Sequence, residues 1–181
     1  MMYDLKTLWE KYNDLDVETK FASISDDIWQ LGDIEEIREQ VSPETFTFHI
    51  AVNMIGYWKG DGWHFIFCEE KALLPYIPET LNKLGLEEIN NAFEKTRDIF
   101  PDFAKDCDDK AYTDVMNFLI NPRFNVSDER LKAIPMEERE ARSKAYHQGV
   151  EELDALSHKV WGYGAAEDGW KNVLDYLKAL I

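Results

Sequence analysis

The residues able to do chemistry are few and scattered. His49 and His64 stand on either side of Gly60-Asp61-Gly62, with Glu69 and Glu70 just beyond. An imidazole beside a carboxylate is the pairing a general base needs, and two helices meeting at a glycine turn would bring these side chains together. Their neighbours argue otherwise: Phe48, Ile50 and Ala51 surround His49, while Trp63 and Phe65 flank His64. Histidines in such apolar runs read as hydrogen-bonded packing residues. The chain has 4 histidines; none forms HExxH or stands at ligand spacing from a second His or Cys, so no metal site is expected. Gly60-Asp61-Gly62 fails as a calcium loop because Trp63 and Phe65 fall where oxygen ligands are required, and it reads as a tight turn. Cys68 and Cys107 have no CxxC partner and read as free thiols, Cys68 as a small buried hydrophobe. GxSxG, Walker and GxGxxG motifs are missing, so neither a covalent nucleophile nor a nucleotide cofactor is expected and the chain reads as a non-enzyme.

Carboxylates, by contrast, are abundant. The 181 residues include 36 Asp and Glu against 20 Lys and Arg, a formal charge of −16. A small domain needs only about 2 to 8 net charges for solubility, and the excess costs stability through self-repulsion. Asp98, Asp102 and Asp106 recur at every fourth residue, a step of about 6 Å along a helix face, and Asp109 follows, although Pro101 bends or restarts a helix between them. A second group is Asp26, Asp27, Asp33, Glu35, Glu36 and Glu39. A third comprises Glu137, Glu138, Glu140, Glu151, Glu152 and Asp154. His147–Glu151 and Asp154–His158 share i, i+4 spacing and read as solvated or locally paired surface. Such a charge repels phosphate backbones and anionic lipid, which excludes direct binding to nucleic acid or membrane, and it attracts basic surfaces.

These side chains must be positioned by helices. Leu5, Leu8, Trp9 and Tyr12 repeat at i, i+3, i+4, i+7, as do Tyr112, Val115, Met116 and Leu119. Ile89 to Phe100 carries a similar stripe, and so do Trp170, Val173, Leu174, Leu177 and Ile181. Ser42-Pro43-Glu44 opens a helix running toward Trp58, and Pro135-Met136-Glu137 opens another that stops near Gly162 and Gly164. Trp63 to Cys68 is too short for periodicity to separate strand from helix; with no evident partner strand, helix is preferred. Residues 121–135 read as an ordered loop or hinge. No repeat or linker divides the chain. The expected fold is all-α, one compact domain over residues 1–181 with about seven to ten helices, a core at about 42–120 and C-terminal helices at about 135–181. Met1-Met2-Tyr3-Asp4 lacks the basic start of a secretory signal, and no window holds the roughly 18 to 20 uncharged residues of a membrane span, so a cytoplasmic protein is expected.

Residues 53–103 carry a further pattern: Gly60-Asp61-Gly62-Trp63, the pair Glu69-Glu70, Tyr76-Ile77-Pro78-Glu79-Thr80-Leu81, Leu84-Gly85, then an amphipathic run from Glu87 to Pro101. This segment resembles the acidic, all-helical DNA-mimic protein family and its uncharacterised bacterial relatives. The same residues also have structural roles, Pro78 in a first helical turn and Gly85 at a helix end. The resemblance implies a protein that binds a basic DNA-binding protein, such as a transcription factor, and blocks its access to DNA. It also implies a homodimer. The acidic face expected to make the contact comprises Asp98, Asp102, Asp106, Asp109, Asp26, Asp27, Glu35, Glu36 and Glu39. The alternatives are an immunity-like or other interaction module of unknown partner, and a small hydrolase built on His49, His64 and Glu69-Glu70.

Overall fold

The computed structural model describes residues 4–181, so Met1 to Tyr3 of the amino-terminal stretch lie outside it. Among the described residues the fold is all-α, with ten α-helices, two 3₁₀ turns and no strand. Side-chain caps fix the early helices. Asp4 accepts from the Thr7 N–H to start α1 (Leu5–Lys11), and Asp16 accepts from the Thr19 N–H to start α2 (Val17–Trp29). Asp33 and Glu36 cap α3 (Ile34–Gln40) reciprocally, each side chain accepting from the other's backbone N–H.

The organising element is α4 (Pro43–Glu69), opened by Ser42 with Pro43 in its first turn. It continues through Gly60-Asp61-Gly62 with a kink, which corrects the tight turn expected there: only Gly62 leaves helical geometry, at φ 76° and ψ −179°. Gly60 and Asp61 remain helical, and the strand-or-helix segment Trp63 to Cys68 is helical too. Thr45 to Val52 are all buried, so this part of α4 is covered on every side rather than along one stripe. Its cover comes from α2 and from two later helices, α5 (Ile77–Lys83) and α9 (Met136–Trp161).

Gly85, at φ 71°, supplies the left-handed residue between α5 and α6 (Glu87–Arg97). Then come α7 (Asp109–Ile120), a single turn α8 (Glu129–Lys132), α9, and α10 (Lys171–Lys178). The stretch 121–135 is ordered by two polar clamps. Asp114 accepts from the Ser127 and Asp128 N–H groups, and the buried Arg139 donates to the carbonyls of Phe118, Asn121 and Phe124. Where α6 meets α9, Gly149 permits contact that no larger residue would: a Cβ there would lie 2.4 Å from Thr96 Oγ1. An aromatic chain of Trp63, Phe67, Phe93, Phe100, Tyr146 and Trp161, with ring centroids 5.4–6.2 Å apart, binds α4, α6 and α9 into one core. No helix among the described residues is long and apolar enough to cross a membrane.

Candidate functional site

The carboxylates expected on one helical face are divided among separate elements. Asp98 closes α6, its N–H bonded to the Glu94 carbonyl. Pro101 ends that path, Asp102 begins a 3₁₀ turn over Asp102–Lys105, and Asp106 follows it. Asp108 caps α7 by accepting from the Ala111 N–H at 2.8 Å, which places Asp109 in the first turn. Asp98, Asp102 and Asp106 therefore do not follow the about 6 Å step of a continuous helix: the proline, which removes a donor and restricts its neighbour, breaks the register. All four aspartates remain exposed. In the second group, Asp26 and Glu39 are exposed, Asp27 accepts from Lys11 Nζ and Tyr12 Oη, and Glu35 accepts from Tyr76 Oη. Glu36 and Asp33 are engaged in their capping box.

Although separate in sequence, Asp109 of the first group and Asp33 and Glu35 of the second border one cleft of about 550 Å³. Asp33 and Glu35 at the start of α3 form one side; Arg97, Lys105 and Asp109 form the other. Lys71 reaches across the end of α4 to donate to the Cys107 carbonyl, and lies 3.3 Å from Asp109 Oδ1. Arg97 has no carboxylate at ion-pair distance among the described residues, and burial lowers the pKa of its guanidinium. The lining is thus near balance, with Asp33, Glu35, Glu69 and Asp109 against Lys71, Arg97 and Lys105. Cys68, also in the wall, is no thiolate: burial, then the Glu69 charge, pushes its pKa up to about 11.

The general-base neighbourhood does not assemble. On α4, His49 and His64 are about 22 Å apart along the axis, at a rise of 1.5 Å per residue. His49 is fully buried, its Nδ1 3.0 Å from Ser25 Oγ, and Asn53 Nδ2 donates to that same hydroxyl at 2.9 Å. Nδ1 thus shares a hydrogen bond with Ser25 whose direction the tautomer sets, and Nε2 has no partner among the described residues. Burial pushes this histidine down to about 4. His64 is exposed and bonded through Nδ1 to the buried Tyr146 Oη at 2.9 Å, with Cys68 Sγ 3.7 Å from Nε2. Burial, then His147, lowers its pKa, while the nearby Asp154 opposes them. A neutral thiol beside a neutral imidazole is not an activated nucleophile. No group of three or more His, Cys, Asp and Glu among the described residues is placed to hold a metal ion.

A second cavity, of about 780 Å³, lies between the kink in α4 and the loop after α9. Here sequence reasoning missed Asp154 and His158, which read as a solvated pair. At the kink, the Trp63 N–H turns out of the helix ladder and donates to Asp154 Oδ1 at 3.2 Å. Trp58 Nε1 donates to the same oxygen at 2.9 Å, and His158 packs edge-on against Trp58 with centroids 4.9 Å apart. Lys59 donates to the Asp168 carbonyl at 2.7 Å and lies 3.7 Å from Glu18 Oε1. The available signal was a glycine-rich Gly60-Asp61-Gly62 inside an aromatic helix, paired with Gly162-Tyr163-Gly164 at the far end. Compared with protein-family models, with curated proteins and with solved structures, the chain matches none.

Proposed function

We propose that this is a cytoplasmic, non-enzymatic protein that presents carboxylates in place of DNA phosphates to a basic DNA-binding protein, such as a transcription factor, and blocks its access to DNA. The observation that carries the reading is the convergence of two acidic groups on one cleft. Asp33 and Glu35 on one side and Asp109 on the other would meet the same partner surface, with Asp98, Asp102 and Asp106 on connected turns beside them. Helices and capped turns hold these groups in fixed relation, so little ordering entropy opposes binding. The resemblance of residues 53–103 supports the same reading, and a homodimer would extend the charged face. No step needs a cofactor or metal.

The test is capture of partners from native lysate at low and high salt, followed by competition with duplex DNA. The reading requires retention to fall steeply with salt and DNA to displace the protein. Asp98, Asp102 and Asp106 make no side-chain bond among the described residues, so reversing all three to Lys should leave the fold intact and weaken capture by about tenfold or more at low salt. Salt-independent capture, or a partner that holds DNA and this protein together, would sink the proposal. A second reading, an interaction module with an apolar hot spot, is favoured by Phe124 and Met136, exposed by 45% and 55%. DNA would not compete for that partner, and Phe124→Ala rather than charge reversal would release it.

A further inference from the structure

We propose that Arg97 and Lys105, in the cleft between α3 and the segment after α6, bind a carboxylate, carried by a small free acid or by an acidic side chain of a bound protein. The site stands apart from the charge-mimic reading: it uses the cations of the cleft where that reading uses its acids, and it is tested on the protein alone.

An arginine drawn partly out of water needs acceptors. Elsewhere the fold provides them. Arg139 donates to the Phe118, Asn121 and Phe124 carbonyls, and Arg142 to Glu138 Oε1 and the Ile99 carbonyl. Arg97, half-buried in the last turn of α6, makes no hydrogen bond or ion pair with any described residue. The helix dipole favours a cation there, and the guanidinium carbon stands 5.8 Å from the Phe93 ring centroid. Neither contact uses the five N–H donors. The sealed, unpartnered polar atoms among the described residues belong to His49, Asn90, Trp161 and Trp170, so the Arg97 nitrogens remain within reach of an acceptor. Burial already disfavours the charged form of this group, a cost that an incoming oxyanion would offset.

Lys105 supplies a second unanswered charge. It closes the 3₁₀ turn, pairs with no described residue, and joins Arg97 in lining both the cleft and a narrow recess of about 50 Å³ whose walls overlap it at Ala104 and Tyr112. The third cation, Lys71, is already held by the Cys107 carbonyl and Asp109. Most acids of the cleft are likewise answered within the fold: Asp33 accepts from the Glu36 N–H, Glu35 from Tyr76 Oη, and Asp109 faces Lys71. Glu69 in the cleft, with Asp98 and Asp102 at the recess, stays exposed. These charges set the ligand class, because they repel a dianion such as phosphate more strongly than a monoanion. A carboxylate carries one charge, and its two oxygens match the guanidinium fork.

The experiment follows the Arg97 Nε–H and the Ala104 backbone amide of the full chain by NMR during titration with propionate at constant ionic strength. Propionamide, of similar shape without charge, is the control. Propionate should shift both signals with millimolar affinity and propionamide should not. Arg97→Lys keeps the charge but loses the fork, and should weaken binding about tenfold. Lys105→Gln, at an exposed position, should weaken it about two- to fivefold; it carries the test through the Ala104 signal if the Arg97 variant does not fold. Equal response to both compounds, no shift up to roughly 30 mM, or affinity unchanged in each variant that folds would overturn the proposal. So would tighter binding of inorganic phosphate than of propionate. A blocked Gly-Glu-Gly peptide separates the sources: tighter binding of the peptide than of propionate assigns the site to a protein side chain, and the reverse order to a free acid. Either supports the carboxylate site.

Discussion

His49 offers the sharpest test of the burial that removes it from catalysis. Its imidazole is sealed between Ser25, Asn53 and the ring of Trp29, none of which titrates, and burial pushes its pKa from 6.5 down to about 4. Below pH 6.5 the unfolded chain accepts a proton that the folded protein declines, so acid favours unfolding until the folded pKa is reached. Stability from this group is therefore complete above 6.5 and is lost as pH falls toward 4. At about 1.4 kcal/mol per pKa unit, the full loss is about 3 kcal/mol. Carboxylates titrate over the same range, so the effect must be read as a difference from His49→Gln, which keeps a hydrogen-bonding partner for Ser25 but takes no proton. Solubility is lowest near the sequence pI of about 4.6, which confines urea unfolding, followed by tryptophan fluorescence, to about pH 7 down to 5.5. Over that interval the advantage of the native histidine should shrink by about 1 kcal/mol. An advantage that stays constant, or an imidazole seen by NMR to titrate near 6.5, would refute the burial argument and make His49 a candidate base again.

Two further substitutions test the packing and the strained loop. Gly149→Ala would drive a Cβ to 2.4 Å from Thr96 Oγ1 at the α6–α9 contact, and chemical denaturation should show a loss of about 1 to 3 kcal/mol. Glu167→Gly removes the side chain from a left-handed residue at φ 52°; it should raise stability by about 1 kcal/mol, read as an increased denaturation midpoint, while a loss would mean that Glu167 makes compensating contacts.

The helices were legible because each announces itself locally: a cap oxygen at Asp16 or Ser42, a proline in the first turn at Pro43, an apolar stripe through Tyr112 and Leu119. The kink at Gly62 was not, because a glycine pair around an aspartate has the composition of a turn. What keeps Gly60 and Asp61 helical is the burial of Trp58 and Trp63 on either side, a tertiary force with no local signature. The acidic cleft was half legible. Composition showed which carboxylates exist, but only the folded chain shows that α3 and the segment after α6 border the same space. Asp154 illustrates the limit most clearly: in sequence it is one acid in an acidic helix, and the residues that give it a role, Trp58 and Trp63, lie more than ninety positions away.

The ion pairs bear on what the surplus charge is for. Ten are formed among the described residues, all with at least one partner well exposed, such as Lys95–Glu152 and Lys132–Glu129. Pairs of this kind contribute about 0 to 1 kcal/mol each, so folding gains little from them, and the surplus of carboxylates adds repulsion. Acids whose role is structural are recognisable by their bonds: Asp16 and Asp33 cap helices, Asp114 clamps a loop, Asp154 anchors two tryptophans. Asp98, Asp102 and Asp106 have none of these bonds, and they lie in the chain between Arg97 and Asp109, both of which line the cleft. If their charge served solubility alone, neutralising them should relieve repulsion and leave every association of the protein unaltered. If they meet a basic partner, the same change must separate the two quantities, raising stability while weakening capture. That opposition distinguishes an interface from a solvated face, whatever the identity of the partner.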